Sequence, residues 1–335
     1  MAAKVDPSTL LPFVDQLLDT LHECFADQSW PVRDYACVAC GTFVQQFPEA
    51  SLHKFHLLKP LFIENLKDPI SSVRQGAAQA LTKAVKAFKA HDDSIVSELV
   101  AEMENCFAGV KDQPTESHKY GDLSSEPANF GVAKKMRDND PDLHENQTMY
   151  SCGSLAPKMQ RSGCGGGHFK KAPEPWEAAD GCVFLAAELA AVDGTCAEAV
   201  SNLLPRIEEA ANHKHYTMHL YFIETVAKLL PSIAEAIGKR LFKPHLERFF
   251  RPIFYGWASD NALASAACRE CLFRLSNYLG PSILRGRVEQ YDPNLLAMLQ
   301  EAVVASSPYI PQNQALSVVI PDHPSLGGTP TGSPR

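Results

Sequence analysis

The sequence predicts an all-α protein: a right-handed α-solenoid of about five helix pairs and a capping helix, with a long irregular insertion in the third pair. Three observations lead there. A stretch near the N-terminus returns 41 residues later. Apolar residues in both copies recur at spacings of three and four, the period of a helix. A segment over 111–175 breaks that pattern with Gly, Pro, Ser and charged residues. A repeat near forty residues with two helices per unit is the signature of stacked helical repeats, because no unit can bury its apolar face alone.

The repeat is read directly from two segments, DQSWPVRDYACVACGTF from Asp27 and DPISSVRQGAAQALTKAV from Asp68. Asp27 matches Asp68, Val32 matches Val73, and Arg33 matches Arg74. Ala36, Ala39, Val44 and Phe47 match Ala77, Ala80, Val85 and Phe88. Each segment follows an amphipathic run, LLPFVDQLLDTLHECF or HLLKPLFIENL. The shared Asp-x(4)-Val-Arg-x-x-Ala pattern resembles HEAT repeats of the armadillo-like helical class. The resemblance implies that Asp27, Arg33, Asp68 and Arg74 lie at the turn and at the start of the second helix. It further implies that they tie adjacent units together by hydrogen bonds.

Extending the register finds the later units. PWEAADGCVFLAAELAAV, with Gly181 on the Ala77 slot, opens the second helix of a third unit. The larger offset implies about 63 inserted residues. ALASAACRECLFRLSNYL, with Cys271 on the Leu81 slot, forms a fifth, and HKHYTMHLYFIETVAKLL lies between as a fourth. Their first helices are SIVSELVAEMENCFAGV, CAEAVSNLLPRIEEAA and KPHLERFFRPIFYGWA, and PNLLAMLQEAVVAS caps the stack. The expected organisation is a solenoid over 1–306 with the insertion at 111–175. The Pro- and Gly-rich tail over 307–335 is expected to be disordered, with Thr329 and Ser333 beside prolines.

Composition narrows the function classes. Apolar residues make up 45% of 335, enough for a sizeable core. A net charge of −8 argues against a dedicated nucleic-acid binder. No run of eighteen apolar residues is present, so no membrane span is expected. Ten cysteines without a recognisable secretory signal point to a reducing, cytoplasmic setting, with nuclear or cytoskeleton-associated variants. There the sequon at Asn146 is idle. The Cys-x-x-Cys of Cys37 and Cys40 reads as core packing, because Cys37, Cys182 and Cys268 occupy the slot of Ala78, and Cys40 and Cys271 that of Leu81. Free cysteine there is a small apolar side chain.

No nucleophile elbow, kinase motif or His-Glu-x-x-His is present, so no enzyme is expected. His53 and His56 form one histidine cluster, and His213, His215 and His219 another. His215 and His219, four apart, are expected on one helix face, where they lack a third ligand. The insertion offers two readings, a long disordered loop or a partner-binding arm. Its Cys152, Cys164 and His168, with His144, are weak candidates for zinc, since close Cys pairs are missing. GCGGGH lacks the Lys-Ser/Thr ending of a phosphate loop.

A non-enzymatic scaffold that binds a protein partner without cofactors is the expected function, since stacked repeats present extended surfaces. Candidate contact residues are Trp30, Arg33, Ile70, Gln75, Lys83 and Trp176. Asp34, Gln45, Gln79 and Lys86 are further exposed positions of the second helices. Trp30 is either an aromatic plug between units or an exposed anchor. A Trp shortly before Arg in the first turn, with Ile70 in the second, also resembles tubulin-binding TOG domains, which implies tubulin as an alternative partner. The insertion and the acidic charge depart from that pattern. A zinc-dependent role for the insertion is a second alternative.

Overall fold

A computed structural model of the chain describes residues 6–27, 29–92, 94–116 and 173–305. These residues are mostly helical, with no strand among them. The helices of eight or more residues are α1 (Val14–Cys24), α2 (Trp30–Gln46), α3 (Phe55–Asn65), α4 (Ser71–Phe88), α5 (Ile95–Gly109) and α6 (Pro175–Ala190). They continue with α7 (Gly194–Ala211), α8 (His219–Ile237), α9 (Phe250–Trp257), α10 (Ala262–Leu279), α11 (Pro281–Tyr291) and α12 (Leu296–Ala305). None is long and apolar enough to cross a membrane.

Helices α2, α4, α6, α8 and α10 pack side by side in chain order. Each also packs against the helix before it: α1 on α2, α3 on α4, α5 on α6, α7 on α8, and α9 on α10. The core runs between these packed helices. It takes Leu18, Phe25, Phe62, Leu81 and Phe88 from the first part, and Phe222, Leu230, Phe250 and Leu272 from the last. Small residues set the spacing. A Cβ added at Gly181 of α6 would lie 1.8 Å from the carbonyl oxygen of Leu66, so α6 rests directly on the backbone at the end of α3.

The expected cysteine packing is observed. Cys37, Cys40, Cys182, Cys268 and Cys271 are buried, and all eight described cysteines are free thiols. Burial pushes the Cys40 and Cys268 thiols up to about 12, so neither is ionised near neutral pH.

Several local expectations are corrected. The first helix of the fifth unit is not continuous: Lys243–Phe249 is a 3₁₀ turn and α9 begins at Phe250. Pro252 falls in the first turn of α9, where its missing N–H leaves no intrahelical bond unmade. Helix α11, absent from the sequence expectation, packs on α10. Its start is marked by Gly280, at φ 110°, followed by Pro281 at the first helical position. Residues 113–116 and 173–174 of the expected insertion are among the described residues. Gln113 and Glu174 are buried within the core and hydrogen-bonded to each other at 2.9 Å.

Candidate interaction surface

The signature residues form a buried ladder. Arg33 donates through Nε to Asp68 Oδ2 at 2.7 Å and through Nη2 to Oδ1 at 3.1 Å. This two-pronged pair joins α2 to the turn before α4. Arg33 Nη1 also holds the Asp27 carbonyl at 2.8 Å, and Arg74 Nη1 holds the Asp68 carbonyl at the same distance. The two units therefore build the same turn. Within each turn the Asp side chain accepts from a backbone N–H two residues on: Asp27 from Ser29, Asp68 from Ile70.

The resemblance implied a tie between units, and the second tie differs from the first. Arg74 Nε donates to Asp180 Oδ2 at 2.8 Å, and Asp180 lies on α6 itself rather than in the preceding turn. Here a carboxylate on the facing helix plays the part that Asp68 of the turn plays in the first tie. Both pairs are almost completely buried. Pairs of this kind need full hydrogen bonding to offset the loss of water, and these arginines have it.

Around Asp180 the structure assembles a polar junction that the sequence did not mark. The Trp176 indole donates to Glu174 Oε2 at 3.0 Å, and its backbone N–H donates to Gln113 Oε1 at 3.1 Å. The Arg74 guanidinium lies 5.5 Å from the centre of the Trp176 ring. His215 Nε2 donates to the Gln113 carbonyl at 2.9 Å, and Thr217 N–H donates to the Thr115 carbonyl at 3.0 Å. The residues leaving and re-entering the core at the insertion are thus fastened to each other and to the turn before α8.

The candidate contact residues divide. Arg33, Ile70 and Trp176, expected as contact residues, are buried and do not present their side chains at the surface. Arg33 is engaged with Asp68. Trp176 is held by Glu174 and Gln113. Ile70 fills the turn before α4. Trp30 is half-buried at the first position of α2. Gln45, Gln75 and Lys86 are exposed, and Asp34, Gln79 and Lys83 reach solvent in part. Lys83 Nζ donates to Thr42 Oγ1 at 3.0 Å, bridging α2 and α4 across this outer face.

The sequence reading missed the apolar part of that face. Tyr35 is 74% exposed, and Val32 and Val38 are also exposed, all on one side of α2. Polar spacing hid them, because Asp34 and Gln45 share the helix.

A second missed cluster joins the turn before α8 to α9. Lys214 Nζ lies 3.3 Å from the centre of the Tyr255 ring. Burial, then the nearby Arg251 charge, lowers the Lys214 pKa. His219 Nδ1 donates to the Tyr216 carbonyl at 2.7 Å, and its Nε2 accepts from the Tyr255 hydroxyl at 3.0 Å.

His215 lies in the turn and His219 opens α8, so they do not share a helix face as expected. Among the described residues no group of three His, Cys, Asp or Glu could hold a metal ion. Cys152, Cys164, His168 and His144 lie outside the described residues.

No family model and no curated protein matches this chain.

Proposed function

We propose that the chain is a right-handed α-solenoid of about five HEAT-like helix pairs with a cap, and that it works as a non-enzymatic scaffold for a protein partner in the cytoplasm. The side-by-side row of α2, α4, α6, α8 and α10 supports the solenoid reading. The observation that carries the function is the outer face of α2, where Tyr35 stands 74% exposed between Val32 and Val38. Exposed aromatic and branched side chains on one helix face are what a partner's apolar groups would cover. Gln75, Gln79, Lys83 and Lys86 on α4 give that patch a polar rim.

The reading is tested with a double variant, Tyr35→Ser with Val38→Ser, beside a chain lacking 117–172. Both variants should retain the parent's helical circular dichroism and melting temperature. Partners isolated from a cell extract by the parent and identified by mass spectrometry should be lost from the double variant. Partners lost only from the deletion would move the binding role to the insertion. An unchanged set of partners in both would defeat the proposal.

The tubulin alternative is weakened, because Ile70, one of its two apolar edge positions, is buried. Equal tubulin comigration by the parent and a Trp30→Ala chain would remove it. Metal analysis of the purified chain tests the zinc alternative, and one equivalent of zinc would support it.

A further inference from the structure

We propose that Lys214 is a reactive amine, which an acyl phosphate acylates in preference to the other described lysines. This does not depend on the scaffold reading.

The site is a lysine without a counter-ion. Lys54, Lys59, Lys67, Lys89 and Lys228 each lie against an Asp or Glu. Lys214, partly buried in the turn between α7 and α8, forms no such pair among the described residues. Its Nζ instead lies 3.3 Å from the centre of the Tyr255 ring. The Tyr255 hydroxyl donates to His219 Nε2 at 3.0 Å, which fixes the ring against the amine. Arg251 and Tyr255 are one turn apart on α9 and share a face, so a second cation stands beside Lys214. Arg251 is exposed and also forms no ion pair among the described residues. The remaining titratable groups around the amine are His213 and His215 in its own turn, His219 at the start of α8, and Glu208 near the end of α7. The Glu208 charge is met by Arg248 at 3.9 Å and by Arg251.

Only the neutral amine is a nucleophile, and an ordinary lysine with a pKa of about 10.4 holds little of it near neutral pH. Loss of water and a neighbouring cation both favour the neutral form. The Tyr255 ring opposes them, because its face attracts the ammonium. Burial, then the Arg251 charge, prevails and holds Lys214 below the usual lysine value. The same Arg251, with Arg248 three residues before it, offers the phosphoryl group of an acyl phosphate a cationic seat beside the amine.

The step balances. The Lys214 ammonium first gives one proton to water. The amine nitrogen attacks the acyl carbon and forms a C–N bond. The bond from that carbon to the bridging oxygen breaks, and phosphate leaves with the electron pair. The second proton lost from nitrogen goes to the departing phosphate, and an amide remains. Acylation removes the charge that faces the ring, so the modification acts on the contact between this turn and α9.

The test treats the full chain with acetyl phosphate near neutral pH and follows acetylation of each lysine by mass spectrometry. Lys214 should react several-fold faster than the exposed Lys86 and Lys111, and its rate should reach half of its maximum at a lower pH than theirs. Arg251→Gln, a change at an exposed position, should raise that midpoint. It should also slow acetyl phosphate more than N-hydroxysuccinimide acetate, a neutral donor of the same acyl group. Tyr255→Phe keeps the ring and should leave Lys214 the fastest lysine. Lys214 reacting no faster than Lys86 and Lys111 would overturn the proposal, and so would an unchanged midpoint in the Arg251→Gln chain. Equal slowing of both donors would overturn the choice of an acyl phosphate. The rates and midpoint of the parent chain decide the first point even if a variant does not fold.

Discussion

The first two second-helices and the last two pack in the same way by different means. Between α2 and α4 the link is ionic: Arg33 reaches Asp68 inside the protein. Between α8 and α10 it is apolar: the two helices pack together, and Phe222, Val226 and Leu230 of one and Cys268, Cys271 and Leu275 of the other are buried. In the register of the sequence repeat, the slot of Arg33 and Arg74 holds Ala264 in the last unit, and Ala264 is fully buried. Ion pairs near α10 are on the surface, as Arg274 with Glu235 at 3.4 Å shows. A buried pair specifies one alignment of helices. An apolar contact of similar area tolerates neighbouring ones, and its register rests on side-chain shape.

The largest expected effect comes from breaking the ionic link on one side. Asp68→Ala leaves the Arg33 guanidinium buried without its carboxylate. It should cost about 3–5 kcal/mol, read from urea unfolding. A paired Arg33→Met, Asp68→Leu chain should recover most of that loss, and failure to recover would show that the pair does more than fill space. Gly181→Ala comes next. Its Cβ would strike the backbone oxygen of Leu66, which cannot turn aside, and a loss of at least about 1–3 kcal/mol is expected. Gly256→Ala is the control from the apolar half. Its nearest atoms, Cys268 Sγ and Ile223 Cγ2 at 2.7 Å, are side-chain atoms rather than backbone and lie farther off than the Leu66 oxygen, so it should lose less.

Smaller effects sharpen the same contrast. Asp193 caps α7 by accepting from Cys196 N–H at 2.9 Å, and Lys89 pairs with it. The Lys89 hydrogen bond, then the cap, holds its carboxyl at about 2, below the usual carboxylate value. Its contribution is complete above the unfolded pKa of about 3.9 and fades as pH falls toward the folded value. Because Asp193 is partly exposed, Asp193→Ala should cost only about 0.5–1 kcal/mol at neutral pH, mostly from the lost cap. That difference from the parent should shrink in melts run below about pH 3. Arg274→Ala should change stability least, by less than about 1 kcal/mol. A larger loss would mean that the C-terminal half also depends on charge.

This asymmetry explains what was legible in the sequence. Where the repeat carries Asp and Arg at fixed offsets, helix bounds, turn and core slots could be read from spacing, and the buried cysteines followed from alignment with Ala and Leu. The apolar units offered only periodicity. There the start of α8 was placed too early, Pro252 was read through, and α11 was passed over although Gly280 and Pro281 announce it. The candidate surface was less legible still. Ile70 and Trp176 looked like anchors because large apolar residues beside turns suit either a core or an interface. Only burial separates the two, and burial depends on residues far away in the chain, such as Gln113 against Trp176. Tyr35 was overlooked for the opposite reason: its neighbours in sequence are polar, and its exposure is a property of the packed helices.

The fastening of Gln113 to Glu174 has a consequence for how such a chain can change. The strand of polypeptide departs and returns through one doorway, and the entropy of closing what lies between grows only slowly with its length. Lengthening or shortening that side branch therefore leaves the helical rows aligned. The doorway is a natural graft point, where a reporter or a foreign domain with adjacent termini could be spliced in while the surrounding architecture carries on as before.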